Sequence, residues 1–245
     1  METHTAVNMD PNHETFDHYA NTYSTEVEKA FGGLAKEHAF FFRHKAFLIA
    51  GALKQYWRGP HGSARLLDCG CGIGTLHPHL NGIVAEVEGF DVSEESIAAA
   101  RRTMPAAKYT VCEPGVFPCP DAAYDCVTAM GVLHHVPVES RKLFYSELRR
   151  VVKPEGIVLI IEHNPFNPAT QWVVNRCPID NDAVLLRSSE TSAGLRQAGF
   201  AKTVTEFILF TPFENNVFRW VDRLLWWLPF GAQYMTVGVP RLSSR

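Results

Sequence analysis

The stretch Leu66-Leu67-Asp68-Cys69-Gly70-Cys71-Gly72-Ile73-Gly74 sets a carboxylate two residues ahead of three alternating glycines. Glycine permits positive φ and lets a ligand come close to the backbone, so this loop can cradle a charged small molecule. Asp91, in Glu88-Gly89-Phe90-Asp91-Val92, offers two oxygens that can accept from a pair of neighbouring hydroxyls. His134-His135 supply imidazoles that can orient an acceptor or take its proton. Glu162-His163-Asn164-Pro165-Phe166-Asn167 gathers polar groups after the apolar run Val158-Leu159-Ile160-Ile161. His77-x-His79 has no partner ligand at a zinc-like spacing, and no further clustered acids provide an oxygen set for magnesium. No metal is expected, and His77 and His79 are expected at the surface. The cysteines Cys69, Cys71, Cys112, Cys119, Cys126 and Cys177 form no C-x-x-C pair and are expected to be free thiols in apolar segments.

These groups need a scaffold that brings them to one edge. Short β-like runs at 65–68, 86–91, 108–112, 124–130 and 157–161 alternate with helical stretches, the pattern of βαβ units and a mainly parallel sheet. Ser93 is placed to cap a helix to Arg102 with Glu94 and Glu95 in its first turn, and a further helix is predicted over 138–152, ending before Lys153-Pro154-Glu155-Gly156. Ahead of the core, Thr15 to Tyr56 has the spacing of two helices, ended by Gly59-Pro60-His61-Gly62. Behind it, 163–187 reads as irregular, 189–198 as a helix stopped by Gly199, 203–210 as extended, 217–228 as an amphipathic helix and 233–239 as a final strand. The predicted fold is α/β, a doubly wound, Rossmann-like seven-stranded sheet with a helical N-terminal lid and a C-terminal aromatic-rich cap. It is expected as one domain over 1–245, with a leader at 1–60, a cofactor-binding core at 64–162 and an acceptor-side cap at 163–245.

Asp68 sharpens the ligand. A carboxylate beside the glycine loop disfavours a pyrophosphate and favours positive charge. S-adenosylmethionine carries an ammonium and a sulfonium, and Asp91, at the end of the next predicted strand, can hold both of its ribose hydroxyls. A nicotinamide-dependent oxidoreductase would need the G-x-G-x-x-G turn, which the Gly70, Gly72, Gly74 spacing does not supply. That enzyme class stays as an alternative, together with a non-catalytic S-adenosylmethionine-binding protein of the same fold.

The motifs Leu66–Gly74, Gly89–Ser93, Phe117-Pro118-Cys119-Pro120-Asp121 with Tyr124-Asp125, Gly131-Val132-Leu133-His134-His135-Val136 and Leu148–Gly156 occur in this order. Together they resemble the class I S-adenosylmethionine-dependent methyltransferases, especially the branch that includes the ubiquinone and menaquinone biosynthesis enzymes. The leader Phe16-Asp17-His18-Tyr19-Ala20-Asn21-Thr22-Tyr23 is similar to that branch's opening. The resemblance implies that Asp68, Gly70, Cys71, Gly72 and Gly74 line the methionine side of the cofactor, with Met130 and Gly131 as its floor. It further implies that Asp91 holds the ribose, that Val92 and Glu113 lie near adenine, and that Tyr23 closes over the site. Pro114 departs from the usual small residue and removes one backbone donor there. Asp125 is expected to support the sheet end.

Methyl transfer from a sulfonium is an in-line displacement with a neutral leaving group, so the protein supplies mainly orientation and exclusion of water. His135, His134, Glu162 and His163 are the candidates for orienting or deprotonating the acceptor. O-, N- and C-methylation stay open. Trp220, Trp226, Trp227, Phe230 and Tyr234 either bury a C-terminal helix against the sheet, line an apolar acceptor pocket, or make a subunit or peripheral membrane contact. With 245 residues, 46% of them hydrophobic and 20% charged, the chain can bury a core and is not disordered throughout. Twenty-three Lys+Arg against 26 Asp+Glu leave a net charge of −3 and no basic stripe, so nucleic acid is not an expected partner. No apolar run approaches the roughly 20 residues of a bilayer span, and the N-terminus lacks a secretory pattern. The expectation is a cytoplasmic enzyme that methylates a small-molecule or lipid-like acceptor.

Overall fold

Residues Ile157 to Ile161 are apolar at every position because both faces of their strand are covered. Ile157, Leu159 and Ile161 pack with Ile49 and Leu53 on one side, while Val158 and Ile160 pack with Phe144, Leu148 and Leu195 on the other. The computed structural model describes residues 38–211 and 224–240. Its strands are β1 (Arg65–Cys69), β2 (Glu86–Asp91), β3 (Lys108–Val111), β4 (Tyr124–Met130), β5 (Val152–His163), β6 (Phe200–Ile208) and β7 (Gln233–Pro240). They form a seven-stranded sheet in the order β3-β2-β1-β4-β5-β7-β6. The first five are parallel, and β7 runs antiparallel to both β5 and β6. The helices are α1 (His38–Tyr56), α2 (Glu94–Thr103), α3 (Arg141–Val151), α4 (Pro168–Val174) and α5 (Ser188–Gln197).

The chain steps from β1 to β2 on one side and returns through β4 on the other, so the strand order reverses at β1. Open α/β sheets bind ligands at such a switch point, outside the carboxyl ends of the strands. The glycine loop after β1, Asp91 at the end of β2, the histidines after β4 and Glu162 at the end of β5 all stand along this edge.

Local expectations hold where a local rule decides. Ser93 Oγ accepts from Ser96 N at 3.0 Å, capping α2. Gly199 has φ +98° just after α5, the left-handed stop expected of it. Several boundaries need correction. Helix 138–152 opens as a 3₁₀ turn, Val138–Ser140, before α3. Lys153-Pro154-Glu155-Gly156 continues directly into β5 rather than forming a separating turn. The segment 163–187 is more ordered than expected. Asn167 Oδ1 accepts from Thr170 N at 3.0 Å and Pro168 opens α4, and a 3₁₀ turn follows at Pro178–Asp180.

Of the leader, α1 lies against a sheet face through Ala46, Ile49, Ala52 and Leu53. Residues 1–37, including Tyr19 and Tyr23, lie outside the described residues, as does Trp220. The expected burial of the C-terminal aromatics holds for Tyr234 on β7 and fails for Trp226, Trp227 and Phe230, which are about half exposed or more. Main-chain bonds hold their segment in place of ring burial. Asn164 Nδ2 donates to the carbonyls of Pro229 (3.0 Å) and Gly231 (2.8 Å), and Asn167 Nδ2 donates to that of Phe230 (2.6 Å).

The contact between α3 and α5 is close enough to test. A Cβ built on Gly194 would stand 2.2 Å from Tyr145 Cε2, on a ring that is itself buried. Gly194→Ala is expected to destabilise the fold by about 1–3 kcal/mol through overpacking, read as a lower urea midpoint with an unchanged slope.

Candidate functional site

Below the glycine loop lies a closed hydrogen-bond network. Asp68 is buried, and Thr128 Oγ1 donates to its Oδ1 at 2.6 Å. His77 Nε2 lies 3.0 Å from its Oδ2, and His77 Nδ1 lies 2.7 Å from Tyr109 Oη. A carboxylate only accepts, so Nε2 carries a proton and donates to Asp68, while the Nδ1–Tyr109 bond holds the other side of the ring. Its ring stacks on that of Tyr109, with centroids 5.4 Å apart. The expectation of a surface His77 is therefore wrong: it has no exposure and is the member that ties Asp68 to β3. His79 is partly exposed. Both Asp68 oxygens point to internal donors, so its negative charge stands under the loop while its hydrogen bonds set the loop's shape.

Above this network the loop is open. Gly72 has φ +52°, and a Cβ added there would meet nothing within 4 Å. Gly70 is different, since its Cβ would come within 2.6 Å of Val132 Cγ2, so the glycine loop abuts the loop after β4. Asp91 Oδ2 accepts from Gly72 N at 2.8 Å and Oδ1 accepts from Ser93 N at 3.0 Å. Each oxygen keeps a further lone pair. Burial raises the Asp91 pKa, opposed by the backbone bonds from Ser93 and Gly72. Val92 follows it, partly buried. Cys112 N donates to Asp91 O at 3.0 Å, which brings the turn containing exposed Glu113 and partly buried Pro114 beside the end of β2. Cys71 is partly exposed in the loop, and burial pushes its thiol well above the usual range. All six cysteines are free.

The second half of the edge is built on Glu162, 1% exposed at the end of β5. Its Oε1 accepts from Val132 N (3.0 Å) and Leu133 N (2.8 Å), and His134 Nδ1 donates to its Oε2 at 2.5 Å. Gly131, with φ +74°, turns the chain out of β4 after Met130 and donates from its N to Ile161 O at 2.9 Å. Asp180, in the 3₁₀ turn after α4, completes the cluster. Its Oδ1 lies 3.5 Å from both His134 Nε2 and His135 Nε2. Burial opposes ionisation of both acids, yet His134 holds Glu162 below its ordinary pKa, and hydrogen bonds from His134 and His135 hold Asp180 well below its own. Against the burial that lowers it, Glu162 raises His134 to about 9. His135 is lowered by burial and by the charge on His134, against the pull of Asp180. His163, buried next to the same charge, falls to about 4. Its ring centroid stands 5.2 Å from that of His134.

The candidate residues thus fall into two adjoining groups, with Asp68, the glycine loop and Asp91 on one side and His134, His135, Glu162 and His163 on the other. Three participants carried no usable sequence signal. His77 and Asp180 gain their roles only through partners distant in the chain. Lys45 of α1 interacts electrostatically with Asp68 and Glu162, and burial lowers its pKa against their pull. Asp125 is where it was expected, at the far end of the sheet, accepting from Arg65 N (3.0 Å) and Lys153 Nζ (2.9 Å).

Comparison with known proteins bears on the domain and the fold. Residues 67–160 match the model of the methyltransferase domain family. A ubiquinone biosynthesis O-methyltransferase of Thiobacillus denitrificans is 33% identical over 113 residues, covering 41% of this chain and 45% of that protein. A 2-methyl-6-phytyl-1,4-hydroquinone methyltransferase of Synechocystis is 34% identical over 107 residues, covering 40% and 32%. The chain thus spans about half or less of the length of these curated relatives. Among solved structures, a Thermotoga maritima S-adenosylmethionine-dependent methyltransferase superposes with a TM-score of 0.65 at 15% identity, covering 93% of this chain and 99% of that one. A Haemonchus contortus phosphoethanolamine N-methyltransferase, solved with S-adenosylhomocysteine, gives 0.61 at 19% identity over 97% and 61%. Among the described residues no helix is long and apolar enough to cross a membrane. Residues 67–160 of this chain are thus similar to the methyltransferase domain family, and the chain shares the fold of these solved S-adenosylmethionine-dependent methyltransferases.

Proposed function

We propose that this protein transfers a methyl group from S-adenosylmethionine to a hydroxyl of a small, largely apolar acceptor. The observation that carries the reading is the contact of Gly70 with Val132, because it joins the glycine loop to the loop bearing His134 and His135. The local chemistry suits the donor. The charge of Asp68 favours its ammonium and sulfonium. The open face of Gly72 leaves room for its amino-acid part, beside Gly70, Cys71 and Gly74, with Met130 and Gly131 beneath. The two part-filled oxygens of Asp91 suit the ribose hydroxyls, and Val92, Glu113 and Pro114 border the adenine end. Tyr23 is proposed as a closing residue from the leader.

When bound, S-adenosylmethionine supplies an electrophilic methyl whose bond to sulfur breaks, with the electron pair, as the acceptor oxygen bonds to carbon. The chain's own task is to place that oxygen in line and to manage its proton. His134, His135, Asp180 and Glu162 form the only cluster of histidines and acids at this part of the edge among the described residues, and they favour a hydroxyl, which needs such help. His163, neutral and packed on His134, is proposed to shape the acceptor side. The relative named for ubiquinone biosynthesis O-methylation supports a hydroxyl acceptor, and the one named for a phytyl hydroquinone supports an aromatic acceptor with an apolar chain. The exposed rings of Phe166, Trp226, Trp227 and Phe230, near the end of β5, suit such a tail and would also suit contact with a membrane surface or a second copy.

Calorimetry should detect S-adenosylhomocysteine binding and no response to NAD; the reverse outcome would refute the reading. Asp91→Ala is expected to weaken that binding at least tenfold, about 1.4 kcal/mol. Because burial raises the Asp91 pKa, wild-type affinity should fall on acidification at a higher pH than an ordinary aspartate would give, while Asp91→Asn should be flat across that range. With labelled donor and a panel of phenols, His135→Ala should lower turnover by a factor of ten or more with donor affinity within twofold. Equal turnover in the two proteins would take His135 out of the reaction.

A further inference from the structure

We propose that His134, His135 and Asp180 form a binding site for one divalent first-row cation of the zinc, manganese or cobalt type. One ligand atom from each of the three residues lies within 4.8 Å of the others. The separations leave room for a cation between these groups. Charge-assisted N–H···O bonds close to about 2.7–2.9 Å. On its other side His134 does close, reaching Glu162 at 2.5 Å. Toward Asp180 the contacts are longer, with both Nε2 atoms 3.5 Å from the same Oδ1. Around a tetrahedral ion with bonds of about 2.0–2.1 Å, neighbouring ligand atoms stand about 3.3–3.4 Å apart. Asp180 Oδ1 therefore already has metal-shell spacing to each nitrogen.

The surroundings fit as well. Glu162 accepts from His134 Nδ1 and so directs Nε2 toward Asp180, the carboxylate–histidine arrangement that orients metal-bound imidazoles. Two imidazoles and one carboxylate suit borderline cations better than calcium or magnesium. Three protein ligands leave a coordination position open, the pattern of reactive rather than structural sites. That position has access, since the side chains of His135 and Asp180 are 18% and 13% exposed while that of His134 is 2%. Spacing along the chain does not reveal the set, because Asp180 arrives from the acceptor-side segment. Its role in the reaction rests on the methyl-transfer reading: the cation would bind the acceptor oxygen, favour its ionised form and fix its position. Cation binding itself does not depend on that reading.

The test uses the untagged full chain, stripped by a chelator and then dialysed against zinc, with bound metal measured per chain. A parallel titration with cobalt(II) is followed by visible absorption. One equivalent should bind at micromolar free metal, with cobalt bands of a nitrogen–oxygen site and no thiolate charge-transfer band. Asp180→Ala and His135→Ala should each weaken binding at least tenfold, and Cys112→Ser should not. Absence of a stoichiometric equivalent, undiminished binding in the Asp180 variant, or a thiolate band would overturn the site. Asp180→Asn serves where the alanine variant does not fold, and S-adenosylhomocysteine affinity reports an intact donor half. Donor binding without metal uptake removes this inference and leaves methyl transfer standing; metal uptake without donor binding does the opposite.

Discussion

Burial of the Glu162 carboxylate at the end of β5 is the constraint on which the site depends. Taking an ionised carboxylate out of water costs several kcal/mol unless donors replace the lost hydration. Here Val132 N, Leu133 N and His134 Nδ1 replace it, three donors from three consecutive residues. The loop after β4 consequently has one place to be. From that placement follow the contact of Val132 with the glycine loop, the direction of His134 Nε2 toward Asp180, and the position of His135 at the edge of the same cluster. Removing the carboxylate would leave buried N–H groups without acceptors and release the partition between the two halves of the site.

The donor half solves a related problem differently. Asp68 is also buried, and its hydrogen-bond partners are a threonine hydroxyl and the His77 imidazole, with Lys45 of α1 acting on it electrostatically. Hydrogen bonds from Thr128 and His77 satisfy the buried carboxylate and fix it under the glycine loop. Asp91 contrasts with it, having one backbone donor on each oxygen and capacity left for more. One acid is committed to shaping the loop and the other is available to a ligand, a division that residue type alone does not disclose.

What was legible in the chain follows from range. The glycine loop, the Ser93 cap and the Gly199 stop each depend on a few neighbouring residues, and each stands where the local rule puts it. The apolar run Val158–Ile161 announces a strand covered on both faces. The earlier start of β5 was hidden because Pro154 and Gly156 read as a turn. The sheet accommodates them at a register irregularity between Tyr124 and Cys126, where Gly156 lies so close to Asp125 O that a Cβ would be 2.9 Å away. Burial of His77 in its short 3₁₀ turn is decided by Asp68 on β1 and Tyr109 on β3, which its sequence neighbours do not announce. Asp180 was unread because neither periodicity nor motif marks a residue whose partners lie across the edge of the sheet.

The placement of Asp180 has a consequence for specificity. In-line methyl transfer asks little of a protein beyond geometry, so the donor half can stay constant in form while acceptors differ. Acceptor shape is set by connecting segments, which tolerate change more readily than strands do. In this chain the segment from α4 to the 3₁₀ turn contributes the acid that faces His134 and His135, and on the proposed function it would also border the acceptor. The proposed function would thereby couple recognition and activation of the acceptor in one segment. A change that reshapes the pocket there also moves Asp180, so acceptor range and turnover should vary together, whereas changes confined to the glycine loop should act on the donor alone.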